Sequence, residues 1–470
     1  MGLSAVMEMG KSGLNVYRVA TEVTGENIAN VNTPGYSRQR VILETAPPAT
    51  SNGFPLGSGV TISTVERYYD GLLQQQLVNA NTTTGYDSTK SQVLQQIEPT
   101  FNEITQDGLG TSISNFFSAW QDLSSNPSGS AERQGVLSQA QIMADNFQSV
   151  STTLNNTITT QDQALKPLTD DINSTINNIA QLNGQIQQTE LVSGNANELR
   201  DQRDLLIQQL AENMGIKYTE NSNGTTDVYV QNGATKNYLV QGTQTGSLAT
   251  GGTTPATTVT ITDVAGATVA VDPLAATPLY TEPDGGALWA TMQMRDITIP
   301  SYLSKVDELA NQVATQVNTL HQAGFDLNGD PGGAFFSGAT AGTIAVNITN
   351  SDNIAAAGSA ATAPGGNDNA LAIANLQNTT IAFTSGTTTI SNYYDALVSK
   401  VGLDVKSAKT VQSQDEAFTK QLSTLRDSNS GVSLDEELTN LVMYQRSYQA
   451  SAKLITAASE MMDTVIGMIR

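Results

Sequence analysis

The side chains best suited to catalysis are few in this sequence. The chain has a single histidine, His321, and no cysteine. A hydrolytic triad needs a nucleophile beside a histidine, and an imidazole metal site needs more than one such ligand. Without a thiol or a second histidine, we predict that His321 is structural and that the chain is not an enzyme.

The run from Asp326 to Asp330 opens like an EF-hand calcium loop. Its sixth position is Pro331, where that loop requires glycine, and its twelfth is Ser337, where it requires glutamate. A turn stabilised by an aspartate side chain is the better interpretation. The sequence therefore predicts no metal site and no cofactor.

Other polar clusters have ordinary structural explanations. The acids 435–437 would lie in the first turn of a terminal helix, where negative charge complements the helix dipole. The glycines at 57–59 lead into the strand-like run 60–62, so they cannot cradle a phosphate as a P-loop does. Arg200 and Asp204 have the i, i+4 spacing of a helix-surface ion pair. None of them indicates a catalytic site.

Charge and composition exclude several partners. The 470 residues include 22 basic and 44 acidic ones, a net charge of −22, and only 14% are charged. With no basic cluster, binding to a phosphate backbone through counterion release has no basis, so we expect no nucleic-acid partner. No apolar run is long enough to predict membrane insertion, and residues 1–10 lack the pattern of a cleavable signal peptide.

The strongest periodic pattern lies near the C-terminus. Steps of four and three residues give a mostly apolar stripe: Leu434, Leu438, Leu441, Gln445, Tyr448, Ala452, Ile455, Ser459, Met462, Ile466 and Ile469. The N-terminus has a weaker stripe with the same spacing: Leu3, Met7, Gly10, Leu14, Tyr17, Thr21, Thr24, Ile28 and Val31. This is the spacing of coiled-coil helices. We therefore predict that the two termini pair with each other and with neighbouring copies.

Between the termini, the period of the apolar residues changes several times. Pro34-Gly35 predicts a type II turn with Gly35 at positive φ after the first helix. A helical period runs from Tyr68 to Met214, and a period of two follows to about Met294. Helix is predicted again at 303–321 and 393–425.

The predicted fold class is mainly α with inserted β. It has paired, coiled-coil-like terminal helices, a long antiparallel helical rod domain and small outer β-domains. We place a terminal assembly domain at 1–33 and 433–470, the rod domain at 34–215 and 295–432, and an inserted β-domain at 216–294. A candidate second outer lobe lies at 324–391, within the helical domain.

A motif that follows the first helix suggests a family. Residues 28–36 read Ile-Ala-Asn-Val-Asn-Thr-Pro-Gly-Tyr and resemble the signature shared by bacterial flagellar rod, hook and hook-associated proteins. The motif residues are Asn30, Asn32, Thr33, Pro34, Gly35 and Tyr36. Further similar pieces narrow the resemblance to the hook-associated proteins of the hook–filament junction: residues 37–41, 57–60, 67–70, 197–206, 326–336 and 431–470.

The resemblance implies a structural component of the extracellular flagellum, required for filament assembly and motility. It implies export through the flagellar type III apparatus without a cleaved signal, with the help of a dedicated export chaperone. The implied partners are copies of the chain in a ring, the hook protein and the next hook-associated protein towards the filament.

Three alternatives stay open at this stage. A flagellar hook or rod protein would resemble the chain at its ends, but the middle of a hook protein should be mostly β. A secreted adhesin would bind through the Thr- and Gly-rich β-insert. A murein hydrolase would need a catalytic carboxylate, and the sequence offers only ordinary Asp and Glu residues.

Overall fold

The computed structural model describes residues 3–51, 54–102 and 108–469. Within these ranges the chain forms ten α-helices, several of them very long. Their bounds are α1 (Leu3–Ala29), α2 (Gly71–Phe101), α3 (Leu109–Ser125), α4 (Ser130–Ser193), α5 (Asn197–Asn213), α6 (Gly286–Gln293), α7 (Ile299–Ala323), α8 (Asp368–Asn375), α9 (Ile390–Ser430) and α10 (Leu434–Ile469). The prediction of a mainly α fold with inserted β structure is confirmed.

The strands in the described ranges are short, and each pairs with its neighbours in antiparallel fashion. Two hairpins follow α1, formed by β1 (Gln39–Thr45) with β4 (Val60–Arg67) and by β2 (Ala49–Ser51) with β3 (Phe54–Leu56). Seven strands follow α5: β5 (Lys217–Glu220), β6 (Thr226–Asn232), β7 (Thr235–Gln241), β8 (Gln244–Thr245), β9 (Ser247–Gly251), β10 (Thr258–Thr262) and β11 (Thr268–Val271). They form sheets in the orders β5-β6-β7-β8 and β11-β10-β9.

The first core joins helices from distant parts of the sequence. Phe116 and Trp120 of α3, Phe147 of α4, Val306 of α7 and Val401 of α9 are buried in it. Trp120 is edge-on to Phe116, with ring centroids 6.4 Å apart. This apolar centre fixes α9 beside α3 and α7, and α9 leads directly to the C-terminal helix.

Residues 324–391 belong to this first core. They form the hairpins β12 (Phe336–Ser337) with β13 (Ala345–Val346) and β14 (Ile381–Phe383) with β15 (Gly386–Thr388), together with α8. Phe335, Ile354 and Ile373 are fully buried against the helices. Apolar residues of this segment therefore pack against the helices, and the outer lobe at 324–391 within the helical domain stays a prediction.

The second core joins helices to the β-strands. Ile172 and Ile176 of α4 and Leu210 of α5 are buried together with Val228 and Val240 of the larger sheet. Asn173 fixes the smaller sheet, because its side chain bonds both the N–H and the carbonyl of Leu248, at 2.7 and 2.8 Å. The sheets thus share one core with α4 and α5.

The end of the predicted β-region is corrected by α6. The strands end at Val271, and Gly286–Gln293 is helical. A period of two was expected up to Met294, but Leu288, Trp289, Ala290 and Met292 are all buried. A short helix that is apolar on every face has no helical period to detect. The β-domain boundary at 216–294 otherwise stays a prediction.

No helix in the described part of the chain has the length and hydropathy that crossing a membrane requires.

Candidate assembly site at the terminal helices

Helices α1 and α10 lie side by side, and small residues bring them close together. A Cβ atom on Gly10 would lie 2.5 Å from Cγ1 of Ile455, and one on Gly13 would lie 2.7 Å from Oγ of Ser451. Tyr17 stacks on Tyr444, with ring centroids 6.4 Å apart. A side chain at either glycine would overlap α10, so the lack of side chains at both positions permits this spacing.

The predicted stripe on α10 divides into two groups. Leu441, Ile455 and Met462 are half-buried, and Ile455 faces α1. Side chains of the second group are exposed: Leu434 by 45%, Leu438 by 51%, Tyr448 by 41% and Ile466 by 55%. On α1, the predicted residues are half-buried: Leu3, Met7, Leu14, Tyr17 and Ile28. The side chain of Ile469 lies outside the described residues.

A buried polar cluster joins the end of α1 to the start of α10. Glu437 is only 2% exposed and accepts from Nδ2 of Asn27 at 3.0 Å and from Nε of Arg38 at 2.7 Å. The Arg38 guanidinium also contacts Glu436 at 2.6 Å. Burial would lower the pKa of Arg38, but hydrogen bonds and charges of the two carboxylates raise it overall. Glu437 was expected only to complement the helix dipole, whereas it also pairs with a cation.

The motif turn packs against this cluster. Gly35 has φ +81°, and the N–H of Tyr36 bonds the carbonyl of Thr33 at 3.2 Å, which confirms the predicted turn. The Thr33 hydroxyl donates to Oδ1 of Asn30 at 3.0 Å, while Asn32 and Pro34 are exposed. The Tyr36 hydroxyl donates to Oδ1 of Asn27 at 2.9 Å, and burial raises the pKa of this phenol. The turn thus connects the motif to the helix pair.

The segment after the turn is anchored to α5. The N–H of Ser37 donates to Oδ2 of Asp201 at 2.7 Å, and Arg67 donates to Oδ1 of Asp201 at 2.6 Å. Arg67 also forms an ion pair with Asp204, whose Oδ2 lies 2.8 Å from Nη1. The expected pair of Arg200 with Asp204 is wrong. Arg200 instead bonds Glu190 at the end of α4, because the turn between α4 and α5 brings that carboxylate within 2.7 Å.

Helix α9 closes the cluster from the other side. Arg426 donates from Nη2 to the carbonyl of Tyr36 at 3.3 Å, and the N–H of Arg38 bonds the carbonyl of Ser430 at 2.7 Å. The motif turn therefore lies where α1, α5, α9 and α10 meet. Sequence patterns alone did not indicate this junction, because its residues are polar and come from four separate segments.

His321 has a structural environment. It is fully buried, with Nε2 accepting from the N–H of Ala355 at 2.9 Å and Nδ1 lying 2.7 Å from the carbonyl of Gly333. Since Nε2 accepts, the proton lies on Nδ1 and is donated to Gly333. Burial lowers the pKa of the imidazole to about 4. A neutral histidine with both nitrogens bonded to backbone holds the loop after α7.

The run at 326–330 forms the expected aspartate turn. Oδ1 of Asp326 accepts from the N–H groups of Asn328 and Asp330, at 2.8 and 2.9 Å. Among residues 3–51, 54–102 and 108–469, no group of three or more His, Cys, Asp or Glu side chains could hold a metal ion.

Comparisons with known families match both ends and the middle of the chain. The family model described as "Flagella basal body rod protein" matches residues 7–36, and "Flagellar basal body rod FlgEFG protein C-terminal" matches 426–468. These segments contain most of the helix pair and the motif turn. The chain is therefore an axial protein of the bacterial flagellum.

The model described as "Flagellar hook-associated protein FlgK helical domain" matches residues 94–336, just over half of the chain. Flagellar hook-associated protein 1 of Bacillus subtilis is 31% identical, covering 98% of this chain and 97% of that protein. The Escherichia coli protein of the same name is 26% identical, covering 99% of this chain and all of that protein. The chain belongs to the flagellar hook-associated protein 1 family, that of the hook–filament junction protein, whose members are structural proteins of the flagellum.

A solved structure supports the same fold. The flagellar hook junction protein FlgK from Burkholderia pseudomallei superposes with a TM-score of 0.65 at 18% identity. The match covers 76% of this chain and all of the solved chain.

Proposed function

We propose that copies of this chain form a ring between the hook protein and the next hook-associated protein towards the filament. The contacts between copies are made by the terminal helix pair. The observation that carries this proposal is the large apolar surface that α10 leaves uncovered.

The uncovered surface extends along the whole of α10. Besides the predicted residues of the exposed group, six more large apolar side chains are 43–81% exposed: Val442, Met443, Leu454, Met461, Val465 and Met468. Such a surface is unusual in a monomeric protein and is typical of a protein–protein interface. Covering it with a second helix pair would remove apolar area from water and stabilise the assembly.

The outer surface of α1 is different in character. Most of its exposed side chains are polar or charged, including Glu8, Lys11, Asn15, Arg18 and Glu22. Arg18 and Glu22 form an exposed ion pair at 2.7 Å. Within the pair, α10 therefore provides the apolar contact surface, and α1 provides a face that tolerates water.

The remaining parts of the proposal follow from family membership. The chain leaves the cell through the flagellar type III apparatus without a cleaved signal, and a dedicated export chaperone covers the apolar helix before export. Outside the cell it joins the end of the hook and makes filament assembly and motility possible.

A charge on the exposed face of α10 tests the assembly surface. Leu438→Asp should abolish incorporation and motility, because a carboxylate would be buried between copies without a partner. Thr464→Asp places the same charge on the strip of exposed polar residues that contains Arg446, Lys453 and Glu460, and should leave incorporation intact. Both variants are expressed in a strain lacking the chain, with export measured in the medium. Normal filaments with Leu438→Asp would contradict the proposed surface.

Deleting the chain tests its position in the flagellum. We expect hooks without filaments, and flagellin lost to the medium. Missing hooks would assign the chain to the hook or rod instead, and intact motile filaments would favour the adhesin alternative.

A further inference from the structure

The second half of α9 is attached to the rest of the molecule mainly along α2. Leu422 packs in a small cluster with Leu73 and Leu77 of α2. The hydroxyls of Thr84 and Thr419 lie 2.9 Å apart, which sets the register of the two helices. Most other side chains from 409 to 430 are exposed, so Leu422 is the main buried apolar side chain that this half of α9 places against α2.

One helical turn from the threonine pair, two carboxyl groups lie within hydrogen-bonding reach of each other. Asp87 lies three residues after Thr84 on α2. Asp415 lies four residues before Thr419 on α9, so the register of the threonines brings the two aspartates together. The Asp87 side chain is only 5% exposed. Oδ2 of Asp415 is buried without any donor. Two buried carboxylates in contact cannot both be ionised without a large repulsive cost.

The surrounding charges do not remove this conflict. Lys90 of α2 and Glu282, in the loop before α6, also face Asp87, but these two form an ion pair with each other. Tyr86 is the adjacent phenol. The cleft beside Asp87 has a volume of about 450 Å³ and is also lined by Tyr302, Lys400 and Asp404. Lys400 is paired with Asp404 at 2.5 Å, so neither lysine is available to neutralise the carboxyl pair.

We propose that Asp87 and Asp415 form a proton-operated latch between α2 and α9. With one proton between them, one carboxyl donates a hydrogen bond to the other and the second half of α9 is held on α2. When the proton leaves through the cleft, the two negative charges repel and this half of α9 detaches.

The direction of the pH effect follows from the raised pKa of Asp87 in the attached state. Burial and then the hydrogen bond and charge of Asp415 raise the pKa of Asp87 to about 7. In the detached state the carboxyl has the ordinary pKa of about 4. The attached state therefore binds more protons between about pH 4 and pH 7, and attachment is lost as the pH rises through 7.

The latch has a consequence for the terminal helices. Helix α9 continues to Ser430, and α10 begins four residues later, at Leu434. Releasing α9 from α2 would weaken the attachment of the α1–α10 helix pair to the rest of the molecule. The inference rests on the contacts of α2 and α9 and does not depend on the proposed role in the flagellum.

Amide hydrogen exchange of residues 409–430 in the full-length protein tests the latch. After correction for the intrinsic pH dependence of exchange, we expect opening to increase roughly 30-fold between pH 5.5 and pH 8.5 for folded and open pKa values of about 7 and 4. Asp87→Asn should abolish that increase, because an amide can donate to the Asp415 carboxylate at any pH.

Two further variants make the result decisive. Asp415→Asn should abolish the pH dependence in the same way, even if one of the two variants folds poorly. Asp395→Asn removes an exposed carboxylate of the same helix and should keep the wild-type pH dependence. A corrected exchange rate in the wild type that does not change with pH, or an unchanged pH dependence in both latch variants, would overturn the proposal.

Discussion

At the scale of single residues, the contact between α1 and α10 depends on missing side chains. Gly10→Val would place methyl groups where Ile455 already lies, at 2.5 Å from the new Cβ. Overpacking of this kind costs about 1–3 kcal/mol. Gly25→Val is the control, because it makes the same change on α1 where no atom lies within 4 Å. Thermal unfolding followed by circular dichroism should show a clear loss for the first variant relative to the second. Equal losses would mean that the close approach is not required.

His321 predicts an acid sensitivity. Its pKa is lowered by burial from 6.5 to about 4, so the unfolded chain binds a proton that the folded chain excludes. Stability is therefore lost as the pH falls through 6.5 towards 4, by about 3 kcal/mol. Fluorescence of Trp120, whose ring centroid is 6.2 Å from that of His321, should report this loss in denaturant titrations. His321→Gln can keep both backbone bonds without titrating, so an equally steep acid loss in that variant would exclude His321 as the cause.

At the scale of elements, the joint between α1 and α10 depends on one carboxylate. Glu437→Ala leaves Asn27 without one of its bonds and Arg38 without its buried partner, which we expect to cost about 2–4 kcal/mol. Glu436→Ala removes the other carboxylate of Arg38, but this side chain is 63% exposed and should cost less than about 1 kcal/mol. Hydrogen exchange along α10 is the measurement. Equal exchange along α10 in the two variants would show that the buried Glu437 stabilises the joint no more than the exposed Glu436 does.

The same pair of helices indicates how far sequence patterns can be taken. The spacing of apolar residues predicted that both termini are helical, and the motif identified the turn after α1. The pattern could not decide which face of α10 meets α1, because α10 is apolar on more than one side. The face that meets α1 contains Ser451 and the buried Glu437, which no hydrophobic period selects. Leu438 consequently points away from α1 and stays exposed.

At the scale of the whole molecule, the described residues form two buried cores, while the domain division expected from the sequence stays a prediction. The first contains α3, α7, residues 335–376 and the first half of α9, and the second contains α5, α6 and the β-strands. Among the described helices, α4 contributes the largest set of side chains to both cores, and α2 contributes a smaller set to each. The predicted rod and β-domains divided helices from strands. The two cores instead divide along α4, whose first half is buried in the first core and whose second half is buried in the second. We propose that these cores are the units of stability.

Each core contains one of the two tryptophans, which makes the division testable. Trp120 lies in the first core and Trp289 in the second. Trp289→Phe leaves a reporter for the first core, and Trp120→Phe leaves one for the second. Because the two clusters have no residue in common, we expect the two variants to give different denaturant midpoints by fluorescence. His321→Gln, added to each variant, should change the acid dependence of the first midpoint only. Identical midpoints at every pH would show that α4 couples the two cores into a single cooperative unit.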